Sequence, residues 1–197
     1  MSRLPQIAPE QANPQQAELF AAAKSKLGRV PNLLRALGNS PAALHGYLDF
    51  SGAIGSGEGL SAQQREIVAL TVGEANGCEY CLAAHSTIGK MVGLSPEAIE
   101  AARRGDGVDE PSSAVARFAA AVLESRGRVS DAEIKAFRDA GFGDDGIAEV
   151  VAHVALNVYT NYFNNLVQTD VDFPAAAPLA DEEAEVAACS TACGCSA

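Results

Sequence analysis

Residues 61–93, SAQQREIVALTVGEANGCEYCLAAHSTIGKMVG, decide how this chain folds. Ser61 followed three positions later by Gln64 is a capping-box start for a helix. Residues 67–72 (IVALTV) are apolar on nearly every face, which suits a helix at the centre of a bundle or in a subunit interface. Asn76-Gly77 is a strong turn signal, so the chain is expected to reverse there. A second helix then begins beside a Cys-x-x-Cys pair, Cys78 and Cys81. The stretch reads as a helical hairpin with two thiols at its bend.

The same grammar extends in both directions. Asn13-Pro14, Ser40-Pro41 and Ser95-Pro96 each put a capping side chain before a proline suited to the first helical turn. Ser130 with Glu133 is a second capping box. Gly28, Gly38, Gly77, Gly93, Gly105, Gly127 and Gly141 follow helical stretches, where a left-handed residue is wanted. Helices are expected over 14–28, 31–38, 41–55, 62–76, 79–92, 96–104, 112–126, 131–140 and 145–167, with no period-2 strand. The fold class is therefore all-α, a helical bundle whose short connections favour antiparallel neighbours. Residues 1–13 read as an N-terminal extension, 14–173 as the helical domain, and 174–197 as a flexible, acidic, Cys-rich tail, because the composition changes after Phe173-Pro174.

The 197 residues, 48% of them hydrophobic, suffice for one domain with a real core. A net charge of -11, from 14 basic and 25 acidic side chains, repels phosphate backbones and anionic lipid. Nucleic acid and membrane are thus excluded as expected partners. No apolar run approaches the roughly 20 residues of a membrane span, and the N-terminal residues lack the apolar segment of a secretory signal. A cytoplasmic location is expected. In a reducing cytoplasm, Cys78 and Cys81 mid-chain and Cys189, Cys193 and Cys195 near the end read as catalytic or metal-binding thiols rather than structural disulfides.

At a helix start, backbone N–H groups and the helix dipole favour a thiolate, and a spacing of three residues brings the two sulfurs to one face. His85 lies four residues after Cys81, one turn on, where an imidazole can take the thiol proton directly or through water. Glu66 is twelve residues before Cys78, roughly 18 Å away in one unbroken helix. With a reversal at Gly77 it falls within about 4.5 Å of the axial level of His85, and packed helices are close enough for its carboxylate to orient the ring.

Glu66, Cys78, Cys81 and His85 at these spacings resemble the signature of AhpD-like alkylhydroperoxidases, within the wider carboxymuconolactone decarboxylase superfamily. The resemblance covers about thirty residues as a motif. It implies a helical fold, a homo-oligomer such as a trimer or hexamer, and a Cys pair that reduces hydroperoxides without a further cofactor. It implies that Cys81 is the peroxidatic thiol, Cys78 the resolving thiol, and Glu66 with His85 a proton relay. Cys78 would then be the exposed thiol that exchanges with an external dithiol or thioredoxin-like reductant. Helix-dipole reasoning alone favours Cys78 as the nucleophile instead. Some family members carry a histidine between the cysteines, where this chain has Tyr80, which implies a shorter relay.

Other readings stand beside this one. The Cys pair could be half of a zinc site, although only His85 offers another nearby ligand. A carboxymuconolactone decarboxylase-like enzyme would not need the pair. A soft-metal or metalloid-binding protein could use the C-terminal cysteines, which are also possible accessory redox thiols. Glu74 reads as a surface residue, and His45 as structural. On the last helix His153, Asn157, Asn161 and Asn164 form one polar stripe opposite Ile147, Val150, Val151, Val154, Val158 and Tyr162. That stripe is either a solvated face or a buried network at an interface or pocket wall.

Overall fold

A computed structural model describes residues 2–179. Among them are nine α-helices and no strand: α1 (Pro14–Leu27), α2 (Asn32–Leu37), α3 (Pro41–Ile54), α4 (Ala62–Ala75), α5 (Glu79–Met91), α6 (Pro96–Arg103), α7 (Glu110–Ser125), α8 (Asp131–Asp139) and α9 (Asp144–Val167). The expected all-α fold is the observed one. A 3-10 turn at Pro9–Gln11, too short for a periodic signal, precedes α1.

The capping chemistry sets the boundaries. Asn13, Ser61 and Ser130 each complete a capping box, and Ser40 and Ser95 cap α3 and α6. α7 begins two residues earlier than periodicity suggests, because the Asp109 side chain accepts from the Ser112 N–H at 2.9 Å and takes over as cap. Six of the seven stop glycines have positive φ. Gly38 does not, with φ -57°; a Cβ there would sit 2.7 Å from Cζ of Phe20, so close packing rather than a left-handed turn requires glycine.

α4 is the central helix and packs against α5, α6, α7 and α9. Its residues 67–73 are all buried, as an apolar stretch without a polar face must be. The core has two parts. One gathers aliphatic and phenyl side chains of α4, α6, α7, α8 and α9, with Phe118, Phe137 and Phe142 stacked at centroid separations of 4.4 and 4.3 Å. The other joins Phe20, Leu33, Leu34, Leu37 and Leu44 of α1–α3 to Cys78, Tyr80, Cys81 and Ala84.

Ile7, before α1, and Phe173, after α9, both pack against this second part. The Ile7 N–H donates to the Arg35 carbonyl and the Arg3 N–H to that of Val167. Residues 170–173 cross the start of α2, where Asn32 Nδ2 donates to the Asp170 carbonyl and the Asn32 N–H to the Asp172 carboxylate. Beyond them, Arg103 Nη1 donates to the Ala177 carbonyl at 2.5 Å. Cys189, Cys193 and Cys195 lie outside the described residues. Among the described residues no helix is long and apolar enough to cross a membrane.

Candidate active site at the α4–α5 hairpin

The reversal occurs where the dipeptide Asn76-Gly77 places it. Gly77 takes φ 57°, and the Cys78 N–H turns back to the Gly73 carbonyl at 2.9 Å. Cys78 is the N-cap of α5, and its sulfur accepts from the Cys81 N–H at 3.3 Å. Cys78 and Cys81 form a disulfide, with Cα atoms 5.3 Å apart. His85 Nδ1 and Glu66 Oε2 are 2.8 Å apart, a direct contact between α5 and α4. With Nδ1–H donating to the carboxylate, Nε2 is the ring nitrogen left to accept a proton.

A cavity of about 530 Å³ opens beside α5, and Cys81 and His85 both line it. Its walls are mainly apolar, with Leu27, Leu33, Leu34, Ile88, Met91 and Phe173 among them. Cys78 does not reach the cavity and is wholly buried. This corrects the expectation that Cys78 is the exposed thiol: an N-cap side chain turns back over the first turn of its own helix, here into the core formed with α1–α3.

Tyr80, between the cysteines, has a structural task. Its hydroxyl accepts from the Leu33 N–H at 3.1 Å and donates to Asp172 Oδ1 at 2.8 Å, while its ring meets Phe173 edge-on at 5.8 Å. Burial pushes the phenol up, beyond the usual tyrosine range. Arg29 pairs with Asp172 at 3.3 Å and lies 4.3 Å over the Phe173 ring. Together these contacts hold residues 172–173 as a wall of the cavity.

Tyr47 on α3 also lines the cavity; burial and the nearby Glu66 charge push its phenol up to about 12. It is therefore a hydrogen-bond donor across the neutral range. No motif or spacing in the sequence singles out Tyr47; an aromatic on an apolar helix points to packing rather than to a site.

The α9 stripe resolves in favour of burial. His153, Asn157, Asn161 and Asn164 are all buried, while Val151 and Tyr162, on the side expected to be core, are exposed. Asn161 Oδ1 accepts from Asn76 Nδ2 at 2.9 Å, next to the hairpin turn. Asn164 lines the cavity, and its Nδ2 lies 3.3 Å from Cys81 Sγ. Burial pulls the His153 imidazole below its ordinary value, aided by the Arg65 charge. Glu74 is not a free surface residue: it accepts from Arg103 Nε at 2.6 Å and ties α4 to α6. His45 is exposed and contacts Asp49 one turn on. Among the described residues no group of three or more His, Cys, Asp or Glu is placed to hold a metal ion.

Residues 41–125 match the model of the carboxymuconolactone decarboxylase family. That segment runs from the start of α3 to the end of α7 and contains Glu66, Cys78, Cys81 and His85. The alkylhydroperoxidase AhpD core of an uncharacterised peroxidase-related protein from Ralstonia eutropha JMP134 shares the fold with a TM-score of 0.79. The two are 22% identical, over 87% of this chain and 92% of that one. A peroxidase-related protein from Silicibacter sp. TM1040 gives 0.75 at 24% identity, over 86% and 91%. The debrominase Bmp8, in a cysteine-to-alanine form with 2,3,4-tribromopyrrole, gives 0.68 at 19% identity, over 81% and 86%. No curated protein matches the chain.

Proposed function

We propose that this chain, whose residues 41–125 match the carboxymuconolactone decarboxylase family and whose fold is that of the AhpD-core structures, is an AhpD-like, thiol-dependent peroxidase acting on apolar hydroperoxides. The observation that carries this reading is that Cys81, alone of the pair, lines an apolar cavity together with a histidine held by a carboxylate.

In the reduced enzyme, His85 Nε2 takes the Cys81 proton while Glu66 balances the imidazolium charge. The thiolate attacks the terminal oxygen of R–O–O–H. The O–O bond breaks, Cys81 becomes a sulfenic acid, and the departing alkoxide takes the proton from His85. The Cys78 sulfur then displaces hydroxide from the sulfenic acid. With one proton this leaves as water, and the Cys78–Cys81 disulfide closes. Both cysteines are buried, but only Cys81 lines the cavity, so an external dithiol or thioredoxin-like reductant attacks Cys81. Cys78 leaves as thiolate, and the second thiol of the reductant releases Cys81. The cycle needs no cofactor beyond the pair.

The setting proposed is a cytoplasmic homo-oligomer, a trimer or hexamer. Support for association comes from Val151, Tyr159, Tyr162 and Leu166, exposed apolar side chains along the outer side of α9. Turnover of an alkyl hydroperoxide with dithiol tests the chemistry. Cys81→Ser should abolish it. Consumption at the wild-type rate by that variant would sink the reading, and lactone turnover surviving loss of both cysteines would point to a decarboxylase-like enzyme instead.

A further inference from the structure

Asn164 comes to the site from the far end of the chain, 83 residues after Cys81. It sits in the last turn of α9, is 3% exposed, and points its amide at the sulfur that faces the cavity. A disulfide sulfur carries lone pairs and no hydrogen, so only the Nδ2 side of the amide can bond to it. The orientation leaves the Asn164 Oδ1 atom buried with no hydrogen-bond partner. A buried carbonyl oxygen left unpaired is costly, so the side chain is held there for its N–H. Asparagine is also a poor helix former, and nothing in the local requirements of α9 asks for it.

We propose that Asn164 is a positioning residue for Cys81, whose amide N–H stabilises the reactive thiolate and fixes its sulfur toward the cavity. This deepens the reading in which Cys81 attacks. A hydrogen bond to an anion is stronger than one to a neutral sulfur, so the same N–H that touches the disulfide favours the thiolate once the pair is reduced. The other ionisable groups around the sulfur are His85 on its own helix, Glu66 behind His85 on α4, and Tyr47 on α3. Tyr80 on α5, Lys26, Arg29 and Asp172 on the remaining walls, and Cys78 once the pair is reduced, complete the set. Beside them, Asn164 is the side-chain amide that contacts the sulfur. It contributes without titrating, so it acts at every pH.

The test follows iodoacetamide alkylation of reduced, full-length protein against pH. A Cys78→Ser background keeps the pair from closing, and peptide mass spectrometry reads Cys81 separately from the C-terminal thiols. Asn164→Leu keeps the side-chain size and removes the donor; Asn164→Ala is the second variant. Each should move the midpoint of Cys81 alkylation up by about one pH unit, an about tenfold slower reaction at neutral pH. Asn161→Ala, which removes a buried amide on the same helix without sulfur contact, should leave the profile in place. An unmoved midpoint in the Asn164 variants, or an equal shift in Asn161→Ala, would overturn the proposal. The readout uses no peroxide. A shifted midpoint with peroxide turnover intact in Cys81→Ser would therefore retain the role of Asn164 and reject the peroxidase.

Discussion

The two halves of the core are built on different terms. The α4–α6–α7–α8–α9 half is aliphatic and phenyl throughout, and its largest side chains, Phe137, Leu70 and Val115 among them, are essentially without exposure. The half formed by α1–α3 and α5 instead encloses two cysteines, the Tyr80 hydroxyl and an apolar cavity, walled by polar side chains of α9. Asn164 Oδ1, an orphaned buried atom, belongs to that wall, and His153 Nε2 and Asn161 Nδ2 are orphaned further along the same helix. Close packing gives stability, whereas a cavity and unpaired polar atoms lower it. The first half holds the hairpin in register, and the second gives up close packing around a cavity that Cys81 lines.

The largest effect expected from this contrast is on stability in the first half. Phe137 is sandwiched between Phe118 and Phe142. Phe137→Ala should cost about 3–5 kcal/mol, read from urea midpoints, while turnover per folded molecule stays within about twofold. A large loss of turnover at full occupancy of the native state would show that the two halves are not separable.

Glu66→Gln reverses the pattern. The side chain is partly exposed and keeps a hydrogen-bonding oxygen, so stability should change by no more than about 1 kcal/mol. Without the carboxylate charge, His85 loses its orienting counter-ion, and hydroperoxide turnover should fall about a hundredfold. Steady-state assays beside denaturant curves decide it: retained turnover would remove Glu66 from the relay.

Most of the first half was legible in the sequence, and part of the second was. Capping residues and terminal glycines are local signals, so the helix limits emerge within two residues. The Glu66–His85 contact was legible too, because one turn dipeptide sets the register of a hairpin. Longer-range facts were not. Nothing local says that α9 turns its asparagines inward and Val151, Tyr162 and Leu166 outward, since periodicity identifies a stripe without its partner. The Asn164–Cys81 contact spans 83 residues. Tyr80 looked like a substitution in a relay, whereas its hydroxyl joins two distant chain segments, at Leu33 and Asp172, 47 residues before it and 92 after it. The burial of Cys78 depends on α1–α3, which no feature of the Cys-x-x-Cys pair reveals.

The smallest effect expected is a pH dependence of stability from buried groups of the second half and of α9, since the core side chains of the first half are aliphatic and phenyl. Tyr47 is protonated in the folded protein up to about 12, against 10.0 for an ordinary phenol. Its contribution is therefore complete below pH 10 and is lost as pH rises from there through about 12. His153 has the opposite sign: buried neutral, it favours the fold above 6.5, and that contribution is lost as pH falls below 6.5 through its lowered value. Because Tyr47 borders an open cavity, its share should be about 1 kcal/mol rather than the full equivalent of its shift. Thermal melts of wild type and Tyr47→Phe at pH 8, 10 and 11 check this. The difference between the two proteins should change by a few degrees between pH 8 and 11. A constant difference would mean that the phenol titrates alike in both states, and that the α3 wall of the cavity is as open to water as the unfolded chain.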